Sequence, residues 1–433
     1  MLNAADNALL TRVGADAPMG QWLRRFWTPL MLADSLPEPD GEPVETRMYG
    51  EDLLAFRDTE GRVGVIQPLC PHRQAPLVYG RNEEGGLRCI YHGWKFSVDG
   101  TCLDMPNEPA DSDFKHKVRP VSYPAREVAG VIWIYMGPKH LQPEMPDMEW
   151  MRVQPAHRNI ARFNLEGNWV QAMEGDVDSS HVPFLHSQLS NAPEHGPTYK
   201  SRFFVGGSDG QYVAKDRAPR WIIQPNDVGM MIAAQRNAEE DSYYWRINQV
   251  YFPYYTLVAG PLDQSMFLAH FWVPTDDHHT DIWTAYWCPE SPLNDEERAM
   301  MFAGPNAHIG TYNPKTGGLF ANRSNHFFQD RKLQKTGTFS GIRGIREQDG
   351  SVTLGMGPIV DRTKEHLGTA DMAVIALRRI LLREAKKIQN GEEPYAPANG
   401  AAYRNRAWSG VLPRNDHFLT DPEAAKMMTT LVP

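Results

Sequence analysis

Two short pairs of cysteine and histidine lie close together in the first quarter of the chain. Cys70 precedes His72 by two residues, and Cys89 precedes His92 by three. Each pair can reach one metal ion from a single turn. Two thiolates and two imidazoles can hold one tetrahedral Zn²⁺ ion. They can also hold a Rieske [2Fe–2S] cluster, in which the cysteines bind one iron and the histidines bind the other.

The order of the four residues favours the iron–sulfur cluster. Zinc fingers usually keep like ligands together, whereas each local pair here is mixed. The sixteen residues between the pairs include Gly80, Gly85 and Gly86, which suit a hairpin that brings the pairs together. A mixed pair at each of two loop tips is what a Rieske site needs. Zinc stays as the alternative, and with it a zinc-stabilised binding protein without redox activity.

A second group of polar residues stands in the passage FNLEGNWVQAMEGDVDSSHVPFLHS. A stripe of polar side chains recurs there at helical spacing, and two histidines follow it. The members are Asn168, Gln171, Glu174, Asp178, His181 and His186. Such a stripe is costly inside a core unless its members form hydrogen bonds or bind a metal. The alternative is a solvated helix face that ends in two incidental histidines.

The spacing of the two histidines requires a break in the helix. On a straight helix, His181 and His186 would point about 140° apart. Pro183 lies between them and is expected to end or kink the helix, so that both imidazoles can turn onto one ion. Two histidines and one carboxylate are typical of non-haem Fe(II) oxygenases.

The elements that must position these residues fall into two regions. Residues 50–137 alternate short apolar runs with turns, including hairpin signals at Asp58–Gly61 and Asp99-Gly100, so we expect this region to be all-β. The proline-rich passage MGPKHLQPEMPDMEW follows as a linker. Beyond it, strands mix with helices, of which TADMAVIALRRILLREAKKIQ is the clearest. The second region is therefore predicted to be α+β, a sheet with helices packed on it.

Composition and charge exclude several classes of function. The chain has 433 residues and a formal net charge of −9 without long basic blocks, which disfavours nucleic acid and anionic membrane as partners. The first twenty residues lack the apolar core of a signal peptide, and no apolar run reaches the ~20 residues that span a bilayer. Cys102 and Cys288 lack a partner at ligand spacing and are interpreted as structural. We expect a cytoplasmic protein.

The sequence around both sites resembles a known family. Cys-Pro-His-Arg followed by Cys-x-Tyr-His-Gly-Trp-x-Phe is similar to the fingerprint of the Rieske aromatic-ring hydroxylating oxygenases. The passage with Asn-Trp-x-Gln and Glu-Gly-x-x-Asp-x-x-His is similar to their iron-binding helix. The resemblance implies a Rieske [2Fe–2S] domain in residues 1–155 and a catalytic domain in residues 156–433. The catalytic domain would be an antiparallel sheet flanked by helices in a helix-grip-like arrangement.

The resemblance also implies a role for each candidate ligand. Cys70 and Cys89 would bind one iron of the cluster and His72 and His92 the other, while His181 and His186 would bind a mononuclear Fe(II). The segment GIREQDGSVTLGMGP is similar to the one that supplies the third ligand in the family, so Asp349 is expected there. Asp330 and Asp361 are the competitors, but each is followed by an arginine and is expected to form a structural ion pair.

Three further residues of the polar stripe take roles from the same resemblance. In the family, the aspartate three residues before the first histidine is not a ligand but bridges the iron site to a Rieske histidine of the adjacent subunit. That aspartate is Asp178 here. Asn168 and Gln171, which belong to the same helix motif, are placed with the catalytic residues.

Four passages resemble the phthalate dioxygenase branch, which also covers aromatic carboxylate hydroxylases and O-demethylases. They are LTRVGADAPMGQWLRRFW, CLDMPNEP, YPAREVAGVIWIYMGP and MGPIVDRTKEHLG. The branch implies a homotrimer or a stacked hexamer that uses O₂ and electrons from a separate flavin and iron–sulfur reductase. The chain departs from the expected pattern at Leu354-Gly355-Met356, where a glutamate was expected, and this departure affects the pocket wall beside Asp349.

An acidic aromatic substrate would need an arginine, whose planar fork pairs well with a carboxylate. Arg220, Arg236 and Arg246 lie in the segment expected to form the pocket sheet, and Arg246 sits among aromatic residues in YYWRINQ. A surface arginine in a salt bridge is the alternative for each. We predict cis-dihydroxylation or monooxygenation of an aromatic, carboxylated substrate, with O-demethylation of a methoxylated or aryl-ether arene as the alternative.

Overall fold

The computed structural model describes residues 2–189, 210–262, 264–303, 307–314, 316–430 and 432. The chain forms two compact units, one of Val13–Pro143 and one that joins Met1–Arg12 to Glu144–Pro433. Helix α1 (Ala4–Thr11) belongs to the second unit. Among the helices in the described ranges, none is both long and apolar enough to cross a membrane.

The Val13–Pro143 unit is built almost entirely from short strands. Its elements in chain order are α2 (Pro18–Leu23), β1 (Trp27–Leu32), β2 (Val44–Met48), β3 (Glu51–Arg57), β4 (Val63–Ile66), β5 (Arg81–Glu83), β6 (Gly86–Arg88), β7 (Lys95–Phe96), β8 (Cys102–Asp104), β9 (Ser122–Tyr123), β10 (Ala125–Val128) and β11 (Val131–Tyr135). The strands form antiparallel sheets in the orders β1-β11-β10, β2-β3-β4-β9 and β5-β6-β7-β8. The two predicted hairpin turns join β3 to β4 and β7 to β8, and Gly61 and Gly100 adopt positive φ in them.

The second unit is a large sheet with helices on it. Its remaining elements are α3 (Glu149–Arg152), β12 (Arg158–Leu165), α4 (Trp169–Val177), α5 (Val182–Leu185), α6 (Gly210–Lys215), β13 (Arg220–Asn226), β14 (Gly229–Asn237), β15 (Ser242–Tyr251), β16 (Tyr255–Val258), β17 (Phe267–Pro274), β18 (Thr280–Trp287), α7 (Asp295–Ala303), α8 (Arg331–Thr336), α9 (Ile345–Thr353), α10 (Met372–Gln389), β19 (Trp408–Pro413) and α11 (Pro422–Met427). In the described part of this unit, eight strands pair antiparallel in the order β12-β18-β17-β16-β15-β14-β13, with β19 beside β15.

Every residue of β17 and β18 is buried, so both faces of the sheet are covered there. Helix α4 packs on β16 and β17 and contacts α9 and α10, and α10 in turn contacts β13 and α1. Helix α10 corresponds to the helix predicted from TADMAVIALRRILLREAKKIQ, with Lys386 and Lys387 in its last turn. The predicted fold class, an all-β domain followed by an α+β domain, is confirmed.

The division between the units differs from the one expected at residues 155 and 156. Residues 144–155 belong to the second unit, where Glu149 accepts hydrogen bonds from Arg406 at 2.6 and 2.7 Å. Helix α1 also belongs there, because Asn7 donates to the carbonyl of Val360 at 3.0 Å. These partners are distant in sequence, so a local composition pattern does not reveal them.

Candidate metal centres

The cysteine–histidine pairs lie in two turns that have the same backbone hydrogen-bond pattern. They span residues 70–75, after β4, and residues 89–94, between β6 and β7. In each turn the cysteine N–H donates to the carbonyl of the sixth residue, and the cysteine carbonyl accepts from the N–H of the fifth. The fifth residue has positive φ in both, 57° at Gln74 and 79° at Gly93. The two turns therefore share the backbone that presents the cysteine, while the histidine is the third residue of the first turn and the fourth of the second.

The four side chains in these turns suit a [2Fe–2S] cluster. Cys70 and Cys89 are buried, and the ring centroids of His72 and His92 lie 4.4 Å apart. In the described structure, Nδ1 of His92 is buried without a hydrogen-bond partner. Burial raises the pKa of Cys70 to about 11, so this thiol alone would stay protonated at neutral pH. A bound iron would hold the thiolate form and give the orphaned Nδ1 its partner.

Trp94 fixes the plane of the His72 ring. The two rings stack with centroids 4.2 Å apart and an interplanar angle of 13°. The indole N–H of Trp94 donates to Oδ1 of Asn107 at 2.8 Å. Trp94 belongs to the sequence fingerprint, but no spacing signal marked Asn107.

The histidines of the second site lie beyond the end of α4. Helix α4 ends at Val177, and Asp178 is its C-cap. His181 is the N-cap of the short helix α5, which has Pro183 in its first turn. The expectation that Pro183 breaks the helix between the histidines is therefore wrong. The chain leaves the helix at residues 178–180, and the proline is tolerated because the first turn does not need its N–H.

His181, His186 and Asp349 meet at one point. The Nε2 atoms of the two histidines are 3.0 Å apart. Oδ1 of Asp349 lies 3.2 Å from Nε2 of His186 and 3.8 Å from Nε2 of His181. Two donors held about 2.1 Å from one ion at a right angle would lie about 3 Å apart. The geometry and the donor set both suit a mononuclear Fe(II).

The charge state of Asp349 also suits a metal ligand. Burial alone would raise the pKa of this carboxyl, but His186 and then His181 lower it below its usual range. The carboxylate therefore stays ionised although it is buried. Asp349 lies in α9, while both histidines follow α4, so the contact of α4 with α9 assembles the site.

Each histidine is held at Nδ1 by an acceptor. Nδ1 of His181 donates to Oδ2 of Asp178 at 3.3 Å, and the Asp178 carboxylate also accepts from two backbone N–H groups at 2.6 and 3.2 Å. Nδ1 of His186 donates to Oε1 of Gln348 at 2.6 Å. The contact of Gln348 was not predicted, and its only signal was its place beside Asp349.

Asn168 and Gln171 anchor α4 to backbone groups. Asn168 caps the helix, with Oδ1 accepting from an N–H at 3.2 Å and Nδ2 donating to two carbonyls at 2.8 and 3.0 Å. Nε2 of Gln171 donates to two carbonyls at 2.7 and 2.9 Å, and its Oε1 accepts from the N–H of Val360 at 2.9 Å. Both side chains are occupied by backbone partners. These contacts favour a positioning role over the catalytic role predicted for them.

A buried chain of hydrogen bonds, missed by the sequence analysis, joins α4 to α9. Oδ2 of Asp176 accepts from Nδ1 of His270 at 2.6 Å and from the Thr256 hydroxyl at 2.5 Å. Nη2 of Arg346 donates to Nε2 of His270 at 3.3 Å. Asp176 lies off the polar stripe, so helical spacing did not mark it. This chain connects the helix before the histidines to the helix that carries Asp349.

The three candidate arginines have different surroundings. Arg220 is exposed at the start of β13, unlike the other two. Arg236 and Arg246 are buried, and both donate to Ser179, at 3.0 Å to its carbonyl and 3.1 Å to its hydroxyl respectively. Burial, and then the like charge of Arg246, lowers the pKa of Arg236 to about 10. Ser179 stands two residues before His181, and no sequence signal marked it.

The two competing aspartates have structural uses. Asp330 caps α8 by accepting from two backbone N–H groups at 2.7 and 3.1 Å. Asp361 pairs with Lys364 at 3.1 Å and accepts from the hydroxyl of Thr363 at 2.6 Å. Each aspartate was expected to pair with the arginine that follows it. Instead, Asp330 caps a helix and Asp361 pairs with a lysine.

Two family models match the chain. One, described as the Rieske [2Fe–2S] domain, matches residues 26–122. The other, described as "LigXa C-terminal domain like", matches residues 134–427. The first match sets aside the zinc alternative for the four residues in the paired turns.

Curated relatives cover nearly the whole chain. The chain is 40% identical over 399 residues to the phthalate 4,5-dioxygenase oxygenase subunit of Pseudomonas putida, a match that covers 90% of this chain and 88% of that protein. It is 35% identical over 429 residues to the 3-chlorobenzoate-3,4-dioxygenase oxygenase subunit of Comamonas testosteroni, covering 96% and 94%. Its fold is similar to that of dicamba monooxygenase bound to dicamba, with a TM-score of 0.58, 16% identity, and coverage of 86% and 99%.

Proposed function

Because this chain belongs to the Rieske oxygenases and is a terminal oxygenase component of that family, we propose that it oxidises an arene bearing a carboxylate, which Arg246 and Arg236 hold. Its cofactors are a Rieske [2Fe–2S] cluster and a mononuclear iron. The proposed cluster ligands are Cys70, His72, Cys89 and His92, and the proposed iron ligands are His181, His186 and Asp349. When bound, the cluster supplies electrons and the iron supplies O₂ activation.

One observation carries the substrate proposal, namely that two buried guanidinium groups have no carboxylate partner within the described ranges of the chain. Among the residues that the structure describes, neither Arg236 nor Arg246 forms an ion pair, and Nη1 of Arg236 and Nε of Arg246 are buried without a hydrogen-bond partner. Buried charges in proteins are normally paired. A carboxylate on the substrate would supply the missing partner, and relatives named for phthalate and 3-chlorobenzoate act on acidic arenes.

Strand register supports a shared role for the two arginines. Arg246 of β15 lies opposite Ala234 of β14, and Arg236 of β14 lies opposite Tyr244 of β15. Directly paired residues point to the same face of a sheet, so both arginines are on one face, as diagonal neighbours. Their shared partner Ser179 ties that face to the loop before His181. A carboxylate bound there would place an aromatic ring near the proposed iron ligands.

We also propose a route for electrons between subunits. Asp178 would bridge the iron site to a Rieske histidine of an adjacent subunit in a homotrimer or stacked hexamer. This proposal rests on the family resemblance and on the contact of Asp178 with His181. A separate flavin and iron–sulfur reductase would reduce the cluster.

A substrate panel tests the proposal. The holoenzyme with a surrogate reductase would be offered mono- and dicarboxylated, methoxylated, phenoxy and uncharged arenes, with O₂ uptake and products recorded. Arg246→Ala is expected to weaken the binding of acidic substrates by about 2–5 kcal/mol, roughly 30- to 5,000-fold, and to leave the binding of neutral analogues nearly unchanged. Arg220→Ala, at an exposed position, is the matched control and should have no effect. Equal losses on acidic and neutral arenes would contradict the proposal. The products separate dihydroxylation from monooxygenation and O-demethylation.

A further inference from the structure

We propose that Gln348 is a positioning residue that fixes the tautomer and the ring orientation of His186, and thereby sets the affinity of the site for its divalent metal. The inference rests on the ligand set proposed above, because it assumes that His186 binds the metal. It adds an orienting residue that no motif in the sequence identifies.

The orientation of the Gln348 amide follows from its own partners. Nε2 of Gln348 donates to the carbonyl of Ile342 at 2.8 Å. A carbonyl only accepts, so the amide nitrogen must face Ile342 and the amide oxygen must face His186. The side chain is buried, so water does not compete for either contact. The amide therefore cannot turn over without losing both bonds.

This orientation decides which nitrogen of His186 carries the proton. The Gln348 oxygen lies 2.6 Å from Nδ1 and can only accept, so Nδ1 must be the protonated nitrogen. A neutral imidazole protonated at Nδ1 has its lone pair on Nε2. Nε2 is the atom that faces Asp349 and His181, at 3.2 and 3.0 Å. The other tautomer would set two lone pairs against each other at Nδ1 and direct an N–H towards the metal position.

Helix α9 contacts both nitrogens of the same ring. Gln348 and Asp349 are consecutive, so their side chains leave the helix about 100° apart. The first reaches Nδ1 of His186 and the second reaches Nε2. The ring is therefore held from both sides by one turn of a helix, and a movement of that turn would displace a ligand and its orienting residue together.

The two histidines differ in what holds them. His181 donates to the carboxylate of Asp178 at 3.3 Å, whereas His186 donates to a neutral amide at 2.6 Å. Partners of this kind fix ligand tautomer and orientation, and losing one typically weakens metal binding about 10- to 100-fold. The shorter contact is the one with Gln348, so removing the Gln348 amide should lower the affinity for the metal.

A metal titration tests the role without using turnover. The full-length enzyme would be stripped of mononuclear metal with the Rieske cluster intact, then titrated anaerobically with Co(II), whose visible bands report coordination. Gln348→Leu is expected to raise the Co(II) dissociation constant about 10- to 100-fold and to alter those bands. Gln348→Glu keeps an acceptor at Nδ1 and should bind Co(II) more tightly than the leucine variant does.

Gln249→Leu is the matched control. Gln249 is also buried and also donates to a backbone carbonyl, that of Arg406, at 3.1 Å. Its loss should lower stability without changing the Co(II) dissociation constant. If Gln348→Leu binds Co(II) within twofold of wild type, or if Gln249→Leu weakens binding equally, the positioning role is overturned.

Two further measurements keep the outcome interpretable. If Gln348→Leu does not fold, Gln348→Met removes the same bond with an unbranched side chain and carries the same expectation. If His186→Ala binds Co(II) as tightly as wild type, the proposed ligand set has failed, which is a different result from a failure of Gln348 alone. The titration contains no arene, so it is also independent of the substrate proposal.

Discussion

Replacing Glu174 by glutamine tests how firmly α4 is held. The carboxylate accepts from Arg378 at 2.6 and 3.0 Å and from Arg362 at 3.4 and 3.3 Å. Both arginine side chains are nearly fully buried. Arg378 has a second carboxylate partner in Glu365 at 2.5 Å, but in the described structure Arg362 has no other carboxylate partner. Helix α4 leads directly to the proposed iron ligands, so this network supports the site.

The size of the expected loss follows from these contacts. The glutamine amide keeps one acceptor oxygen, and its NH₂ group faces guanidinium donors. Glu174→Gln therefore loses one bond from Arg378 and one from Arg362, and it leaves Arg362 as a buried charge without compensation. Removing one member of a buried ion pair costs about 3–5 kcal/mol. We expect the free energy of unfolding of the second unit to fall by about that amount.

Thermal unfolding followed by two probes would measure the effect. A loss of 1 kcal/mol lowers the midpoint by roughly 2 °C in a large domain, so tryptophan fluorescence should report a shift of about 6–10 °C. The visible absorbance of the Rieske cluster should report a smaller shift. Glu166→Gln, at an exposed position just before α4, is the control and should stay within about 0.5 kcal/mol. A Glu174→Gln midpoint within 2 °C of the control would refute the reasoning.

The pH dependence gives a second check on the same network. Burial alone would raise the pKa of Glu174, but Arg362 and then Arg378 hold it below its usual range. A depressed pKa in the folded state adds stability that is present above the unfolded pKa and is lost as the pH falls through the folded pKa. The stability difference between wild type and Glu174→Gln should therefore be constant near neutral pH and shrink in acid.

Removing ligands should separate the two metal centres. Cys70→Ser or His92→Ala should abolish the Rieske spectrum and leave mononuclear iron bound, whereas His181→Ala or Asp349→Ala should do the reverse, because the ligand sets lie in separate units. EPR and iron analysis would measure both centres, and the loss of both in one variant would contradict this. Asp178→Asn should keep both metals and a reducible cluster but nearly stop product formation. Near-normal single-turnover product from the pre-reduced variant would rule out the proposed bridge.

The candidate metal ligands could be predicted from local sequence motifs. Features that depend on contacts between residues distant in sequence could not. All four cluster candidates stand in the two turns, beside neighbours such as Trp94, so a short pattern was enough. The compact units divide elsewhere than between residues 155 and 156 because Glu149 pairs with Arg406, a contact that no change in composition marks. The sequence could not distinguish Arg220 from Arg246, because the strand register that puts Arg220 opposite Gln235 comes from the pairing of β13 with β14.

Pro183 shows a second limit of the sequence argument. Proline disfavours a helix interior, and this led to a predicted kink between the histidines. The same residue fits the first turn of a new helix, and only the structure shows that α5 begins there. The choice between the two depends on Asp178, whose carboxylate accepts from the backbone N–H groups of Ser180 and His181 and stabilises the break before both histidines.

The polar stripe of α4 is better explained by anchoring than by catalysis. Asn168 and Gln171 bind backbone groups, and Glu174 binds two arginines. Asp176 lies off the stripe but anchors the same helix by binding His270. Unsatisfied polar groups would make such a helix costly to bury, whereas satisfied ones fix its rotation and its translation. Asp178 then ends a helix that is held along its length. The loop that follows can present His181 at a fixed distance from Asp349 because its starting point does not move.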